Sequence, residues 1–144
     1  MKAENVARHV INYCIGIENP ISNLQLQKIM YFMDIYNLIR TRKRLITDEN
    51  FSAWDYGPVI ESIYKKYSFY ASNPINVYEE TSEEFDDNMR GELYGYIDKL
   101  SNMYASDLVE KSHEKNSPWD KTKKYGIISP DLLEEYANRY RKKQ

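Results

Sequence analysis

The strongest hydrophobic pattern in the chain lies between Ser22 and Arg40 and predicts a helix buried on nearly all sides. Apolar residues form one stripe at helical spacing and also cover most of the remaining faces. A surface helix is apolar on one side only, whereas a helix that is apolar nearly all round lies inside a bundle. Ser22 and Gln25, three residues apart, form the sequence signature of a capping box. We therefore expect a central helix over 22–40, wrapped by other helices.

Polar residues interrupt this helix and exclude a membrane span. Gln25, Lys28 and Asp34 fall inside the apolar pattern, and a bilayer requires nearly uninterrupted apolar character. Lys28 and Asp34 need polar partners if they are buried, because burying a lone charge is costly. We expect both side chains to be paired structurally rather than to act as an acid and a base.

The remaining pattern predicts an all-α fold, a compact bundle of about six to seven helices around the buried central helix. A minor short hairpin or extended segment is expected near 45–53 and 75–77. No repeat or linker divides the chain, so we expect a single domain over 1–144. The other predicted helices cover residues 3–15, 58–70, 85–103, 106–112, a short stretch that starts at Pro118, and the stretch that follows Ser129-Pro130.

Composition narrows the functional classes. The net charge of the 144 residues is -2, which gives no argument for direct nucleic-acid binding. The single cysteine, Cys14, excludes an internal disulfide and fits a reducing cytoplasm. The N-terminus has no apolar signal core, so export is not expected. The 14 tyrosines either fill the core and its edge or make a recognition surface.

The segment 79–87 holds six acidic residues in nine positions. One interpretation is a solvated loop followed by the acidic first turn of a helix, where carboxylates suit the helix dipole. The other is an acidic surface that binds a basic partner. The candidate partner-binding residues are Glu79, Glu80, Glu83, Glu84, Asp86 and Asp87.

Candidate chemistry is sparse. The sequence has no HExxH, CxxC, Gly-rich phosphate loop or Gly-x-Ser-x-Gly motif, and no catalytic residue, metal site or cofactor is predicted. His9 is expected on a polar helix face. His113 leaves two alternatives open: a general base working with Asp55 or Glu114, or a ring that ties the loop before Trp119 to a backbone carbonyl.

Three segments together carry a family resemblance. They are Leu24-Gln25-Leu26-Gln27-Lys28-Ile29-Met30-Tyr31-Phe32, then Phe51-Ser52-Ala53-Trp54-Asp55-Tyr56-Gly57-Pro58-Val59-Ile60, then Ser112-His113 followed by Ser117-Pro118-Trp119. In this order and spacing they resemble the Panacea domain family, also called SocA-like or GepA-like phage-associated proteins. The resemblance covers roughly residues 3–125.

The resemblance implies an α-helical domain of bacteria and their mobile elements. Family members typically act as antitoxins that neutralise a toxin encoded beside them by binding it, and one is an adaptor that delivers its toxin to the ClpXP protease. The family offers no established catalytic residues to carry over. Some members have an added DNA-binding domain that this chain lacks, so autoregulation at a promoter is not expected. The motif residues expected to gather into a mainly structural cluster at the central helix are Lys28, Trp54, Tyr56, Gly57, Pro58, His113, Pro118 and Trp119.

Three functions follow from these observations. The first is an antitoxin that binds a toxin encoded nearby and can pass it to a ClpXP-type protease. The second is a mobile-element protein that inhibits a host defence or nucleic-acid enzyme, with the acidic segment mimicking phosphate. The third is a hydrolase that uses His113 with a nearby carboxylate.

Overall fold

A computed structural model describes residues 1–143 and contains six α-helices and one small antiparallel hairpin, which confirms the mainly-α bundle. A short 3-10 helix, Ser68–Tyr70, follows the third α-helix directly. In chain order the elements are α1 (Ala3–Gly16), α2 (Asn23–Thr41), β1 (Ser52–Trp54), β2 (Gly57–Val59), α3 (Glu61–Tyr67), α4 (Asp87–Ser101), α5 (Ala105–Ser112) and α6 (Pro130–Lys142).

Helix α2 is the centre of the bundle, because it contacts every other helix and also β2. It begins with the predicted capping box: Ser22 Oγ accepts from the Gln25 backbone N–H, and Gln25 Oε1 accepts from the Ser22 backbone N–H at 3.0 Å. It ends at Thr41, where Arg42 adopts a left-handed conformation. Its buried face is nearly continuous, so this one segment anchors the hydrophobic core.

The core draws side chains from all six helices. Cys14 is fully buried in it, and burial raises the pKa of its thiol to about 11. Since the thiolate is the reactive form of cysteine, the structure gives Cys14 the packing role of a small apolar residue.

Asp34 fixes the chain that follows α2. Its carboxylate accepts from Arg44 Nε at 2.8 Å and from the backbone N–H groups of Leu45 and Ile46 at 2.8 and 3.2 Å. Burial raises the pKa of Asp34, while the Arg44 guanidinium and the two backbone N–H groups oppose that shift. The paired carboxylate holds the irregular segment 44–51 against α2.

The hairpin lies later in the chain than the sequence pattern predicts. Strands β1 and β2 pair antiparallel through Ser52↔Val59, Ala53↔Pro58 and Trp54↔Gly57, whereas 45–51 has no regular structure.

Pro58 does not start a helix, contrary to the sequence pattern; it lies in β2, and α3 begins at Glu61. Proline is tolerated there because Ala53, the residue opposite Pro58, needs no hydrogen bond from it. The Ala53 N–H donates to Gly126 O, and the Ala53 carbonyl accepts from the Tyr125 N–H, so both of its backbone bonds go to residues 125–126. The carbonyl of Pro58 is thereby left free for another donor.

The segment 75–77 has no regular secondary structure and makes one backbone bond to the turn before α2, from Ile75 N–H to Ile21 O at 2.8 Å. The prediction of a helix that starts at Pro118 is wrong. That stretch forms successive turns, although Ser117 Oγ does accept from the Asp120 backbone N–H at 3.2 Å. The segment is too short for a repeating pattern.

Among residues 1–143, no helix has the length and apolar character needed to cross a bilayer.

Candidate functional site

Lys28 lies in the middle of the bundle with its side chain 0% exposed. Its Nζ donates to the carbonyl oxygen of Pro58 at 2.7 Å. Within residues 1–143 no carboxylate forms a salt bridge with this ammonium group, so its structural partner is a backbone dipole rather than a charge. Burial lowers the pKa of Lys28 from 10.5 to about 7, because the charged form loses its hydration without gaining an anion.

Gly57 lets the hairpin approach Lys28. Asp55 and Tyr56 form the turn between the strands, and Gly57 follows with φ 102, a backbone conformation that favours glycine. A Cβ placed on Gly57 would lie 2.5 Å from both Lys28 Cε and Ser112 Oγ. The glycine is therefore required both by its own backbone and by the close packing of α2, α5 and the hairpin.

His113 and Trp119 form the other side of this arrangement. Their rings stack with centroids 3.7 Å apart and planes 13° apart. Trp119 Nε1 donates to the Trp54 carbonyl oxygen at 2.7 Å, and the Trp54 ring packs edge-on against Tyr64 at 5.0 Å. We name Lys28, Trp54, Gly57, Pro58, His113, Pro118 and Trp119 the hairpin anchor; Pro118 is buried among the turns that carry Trp119.

Tyr56 does not join the hairpin anchor, contrary to the sequence-based expectation. Its side chain is 70% exposed, because it occupies the tip of the turn between the strands. Two further residues beside β1 are exposed to a similar degree: Tyr125, whose N–H bonds to Ala53 O, and Ile127, which forms a bridge with Ser52. We name Tyr56, Tyr125 and Ile127 the hairpin-tip surface.

Among residues 1–143, no carboxylate pairs with His113 as the hydrolase alternative requires. The Asp55 carboxylate contacts Lys124 Nζ at 3.0 Å and accepts from Tyr125 OH at 3.2 Å. The Glu114 carboxylate accepts from Tyr136 OH at 2.6 Å. Burial, together with the nearby charge of Lys28, lowers the pKa of His113, and the Asp55 backbone opposes this weakly. His113 Nε2 is buried without a hydrogen-bond partner among the described residues, so the predicted tie to a backbone carbonyl is not formed by that atom.

The acidic residues of segment 79–87 have different environments. Glu79 is half-buried and compensated, since it contacts Arg8 at 3.4 Å and Lys66 at 3.3 Å and accepts from Tyr67 OH at 3.1 Å. Asp86 is the N-cap of α4 and accepts from the Asn88 N–H. The candidates with exposed side chains are Glu80, Glu83, Glu84, Asp86 and Asp87.

Side chains of α1 hold this segment, and sequence analysis does not identify them. Asn5 Nδ2 and His9 Nε2 contact the Glu83 carbonyl oxygen at 2.8 and 2.7 Å, and Asn12 Nδ2 donates to Glu79 O at 2.7 Å. The expectation of His9 on a polar face is wrong: it is buried, with Nδ1 2.9 Å from Tyr94 OH. Its partners lie 74 and 85 residues away in sequence, so no local pattern could have indicated them.

Comparison with known proteins identifies the family of this chain. The family model described as "Antitoxin SocA-like, Panacea domain" matches residues 26–120. The chain belongs to the SocA-like Panacea domain family. Among curated proteins, Antitoxin SocA of Caulobacter vibrioides (strain NA1000 / CB15N) is 28% identical over 131 residues, which cover 82% of this chain and 68% of that protein. No solved structure matches.

The Panacea match begins in α2 and ends directly after Trp119, so it contains the whole hairpin anchor. Helices α1 and α6 lie outside the matched residues. Yet α1 supplies the side chains that hold the acidic segment. In this Panacea protein the acidic surface is therefore supported from outside the matched region.

Proposed function

We propose that this protein is an antitoxin that neutralises a toxin encoded nearby by binding it directly. The observation that carries the proposal is membership of the SocA-like Panacea family, together with similarity to a curated antitoxin over most of the chain. The environment of His113 adds support, because both carboxylates that could have formed a catalytic pair with it are engaged by other residues.

Two surfaces are candidates for contact with the toxin. One is the hairpin-tip surface, where Tyr56 and Tyr125 offer large aromatic area and Ile127 an exposed aliphatic group. Aromatic residues are enriched where binding energy concentrates in protein interfaces. The hairpin anchor beneath holds this surface on α2, so it is presented by a rigid element.

The other candidate is the acidic segment. Asn5, His9 and Asn12 hold the backbone of this segment at Glu79 and Glu83. Its exposed carboxylates would attract a basic surface over a distance set by the ionic strength.

The first test is co-expression with the adjacent gene in a heterologous host. Expression of the neighbour alone should arrest growth, and co-expression of this protein should restore it. Tyr56→Ser combined with Ile127→Ser should reduce the rescue while the melting temperature stays unchanged. Phe69→Ser, which changes an even more exposed aromatic residue elsewhere, is the control and should rescue like wild type. Absence of rescue by the wild-type protein, with no complex recovered, would reject the proposal.

Direct binding is the step that sequestration and proteolytic delivery have in common. In line with the family resemblance, we propose that the bound toxin can also be handed to a ClpXP-type protease. Delivery predicts that the toxin disappears in wild-type cells and accumulates, still bound, in cells that lack the protease. Equal toxin lifetimes in both strains would reject delivery while leaving neutralisation by binding intact.

A further inference from the structure

A cleft of about 620 Å³ lies between the C-terminal end of α2 and the segment that leads into α4. This volume is within the roughly 300–1,000 Å³ range of pockets that bind small ligands. Helix α2 and the loop after it contribute Arg40, Thr41 and Lys43, while the opposite wall contributes Glu83, Glu84 and Asp86. We name this feature the α2–α4 cleft.

The two walls carry opposite charge and largely fail to neutralise each other. One ion pair crosses the cleft, between Arg40 Nε and Glu92 Oε1 at 3.1 Å. Lys43, Glu83 and Asp86 have no ion-pair partner within 4.0 Å in the part of the chain that the structure describes. Glu84 Oε2 lies 3.9 Å from Arg90 Nε, and this solvent-exposed ion pair contributes little stability.

The charge that remains is negative. Arg44, which also lines the cleft, is committed to the buried carboxylate of Asp34. Three carboxylates without a strong partner then face two ammonium groups, that of Lys43 and the N-terminal one of Met1, which donates to Thr47 Oγ1. An occupant that complements this surface carries more positive than negative charge.

The acidic wall is held in place from below. The Glu83 backbone is bonded to Asn5 and His9, each only 4% exposed, and the Ser82 N–H donates to Asn5 Oδ1 at 2.7 Å. Because the wall is already ordered, binding does not carry the entropic cost of ordering it.

The lining of the cleft also favours a polypeptide over a bare cation. Within residues 1–143 no three His, Cys, Asp or Glu side chains converge as metal ligands, so the carboxylates are spread along the wall. The base of the cleft includes Met89 and Leu93, which suit the aliphatic stems of long basic side chains. Spaced carboxylates above an apolar base match consecutive basic side chains on an extended segment.

We propose that the α2–α4 cleft binds an extended segment of a partner polypeptide that directs lysine or arginine side chains toward Glu83, Glu84 and Asp86. The identification of that partner as the toxin rests on the proposed function; the binding chemistry of the cleft does not. The two claims can therefore be tested separately.

The chemistry is tested with pentalysine amide as the probe and the ¹⁵N-labelled full chain as the receptor. Titration at low ionic strength should shift the amide signals of 37–43 and 83–92, and the shifts should decrease with added salt. The variant Glu83→Gln/Glu84→Gln/Asp86→Asn should bind the probe at least fivefold more weakly. Asparagine at 86 preserves the helix cap, so α4 is expected to stay intact.

The matched control is Glu61→Gln/Asp107→Asn/Glu110→Gln, which removes the same amount of charge from exposed positions outside the cleft. It should bind the probe within twofold of wild type. Equal weakening by both triple variants, or shifts spread evenly over all acidic surfaces, would overturn the proposal, since either result means that net charge alone attracts the peptide.

The toxin arm uses the same two variants in the growth assay. If wild-type protein rescues growth and the cleft variant fails where the control succeeds, the toxin supplies the basic segment. If all three proteins rescue equally although the probe discriminates between the variants, the toxin is not the occupant. If wild-type protein does not rescue but the probe binds selectively, the antitoxin proposal fails and the cleft proposal stands.

Discussion

The Nζ atom of Lys28 lies 2.7 Å from the carbonyl oxygen of Pro58, and this contact joins the centre of the helical bundle to its only hairpin among residues 1–143. The Pro58 carbonyl is free to accept because Ala53, opposite it in β1, makes its backbone hydrogen bonds to residues 125–126 instead. The lysine is fully buried and its partner carries no charge. Protonation of Lys28 is therefore linked to folding.

The stability of the protein should rise with pH above about 7 through Lys28. In the folded state burial lowers the pKa of Lys28 from 10.5 to about 7, so between these values the unfolded chain binds the extra proton and the folded chain does not. Stability then increases with pH across this window, by up to about 1.4 kcal/mol per pH unit, and the gain is complete above the unfolded pKa.

Urea denaturation from pH 6 to 10 measures this linkage. Lys28→Met should remove this contribution. The unfolding free energy of wild type, relative to that of the variant, should therefore increase as the pH rises. Lys65→Met, at an exposed position, is the control and should run parallel to wild type. Parallel curves for wild type and Lys28→Met would contradict a buried lysine with a lowered pKa.

Gly57 and Gly91 should respond in opposite ways to alanine. Gly57→Ala forces a side chain into a left-handed conformation and into Lys28 and Ser112, which should destabilise by more than about 2 kcal/mol. Gly91 lies on the exposed face of α4. Apart from the local helix backbone, no atom lies within 4 Å of the position that an added methyl group would occupy, so Gly91→Ala should stabilise by up to about 1 kcal/mol. Thermal melts of the two variants measure both effects. A Gly57→Ala variant with the melting temperature of wild type would mean that the hairpin does not pack tightly on α2.

Asn5→Ala should loosen the acidic segment without unfolding the bundle. The Asn5 side chain bonds the Ser82 N–H, the Glu83 N–H and the Glu83 carbonyl, and its loss leaves these backbone groups without their partner. Hydrogen exchange of the amides of Ser82 and Glu83 should accelerate at least tenfold, while exchange in α2 stays slow.

Asn76→Ala, at an exposed position, is the control and should leave exchange in 79–86 unchanged. Unchanged exchange in Asn5→Ala as well would show that α1 does not hold the segment, and it would remove the basis for a preordered acidic wall.

The features that could be predicted from the sequence are those set by neighbours in the chain. The capping box of Ser22 and Gln25 and the start of α6 at Ser129-Pro130 are local chemistry, and both are present. The prediction for Pro58 is wrong because Gly-Pro before an apolar run resembles a helix start, and only the position of residues 125–126 shows why proline fits in β2. Tyr56 shares a motif with Trp54 and Gly57, but it lies at the exposed tip of the turn between the strands.

The candidate site could be predicted only in part for the same reason. The motif includes Gly57, Pro58 and His113, which lie near Lys28. The partner of Lys28 is a carbonyl, however, and no side-chain pattern indicates a carbonyl. Asn5 and His9 act on a segment more than 70 residues away. The α2–α4 cleft likewise exists only because the end of α2 and the start of α4 lie side by side.

The central claim is that this protein acts by holding another polypeptide. Its most direct test is a titration of the purified toxin, encoded by the adjacent gene, with the purified protein, followed through residual toxin activity. A binding antitoxin predicts a linear fall in activity that reaches its end point at a fixed stoichiometric ratio, with a complex of the same composition on size exclusion. Complete inactivation by a small fraction of an equivalent, with no complex formed, would contradict the account, because it would mean that the protein turns over.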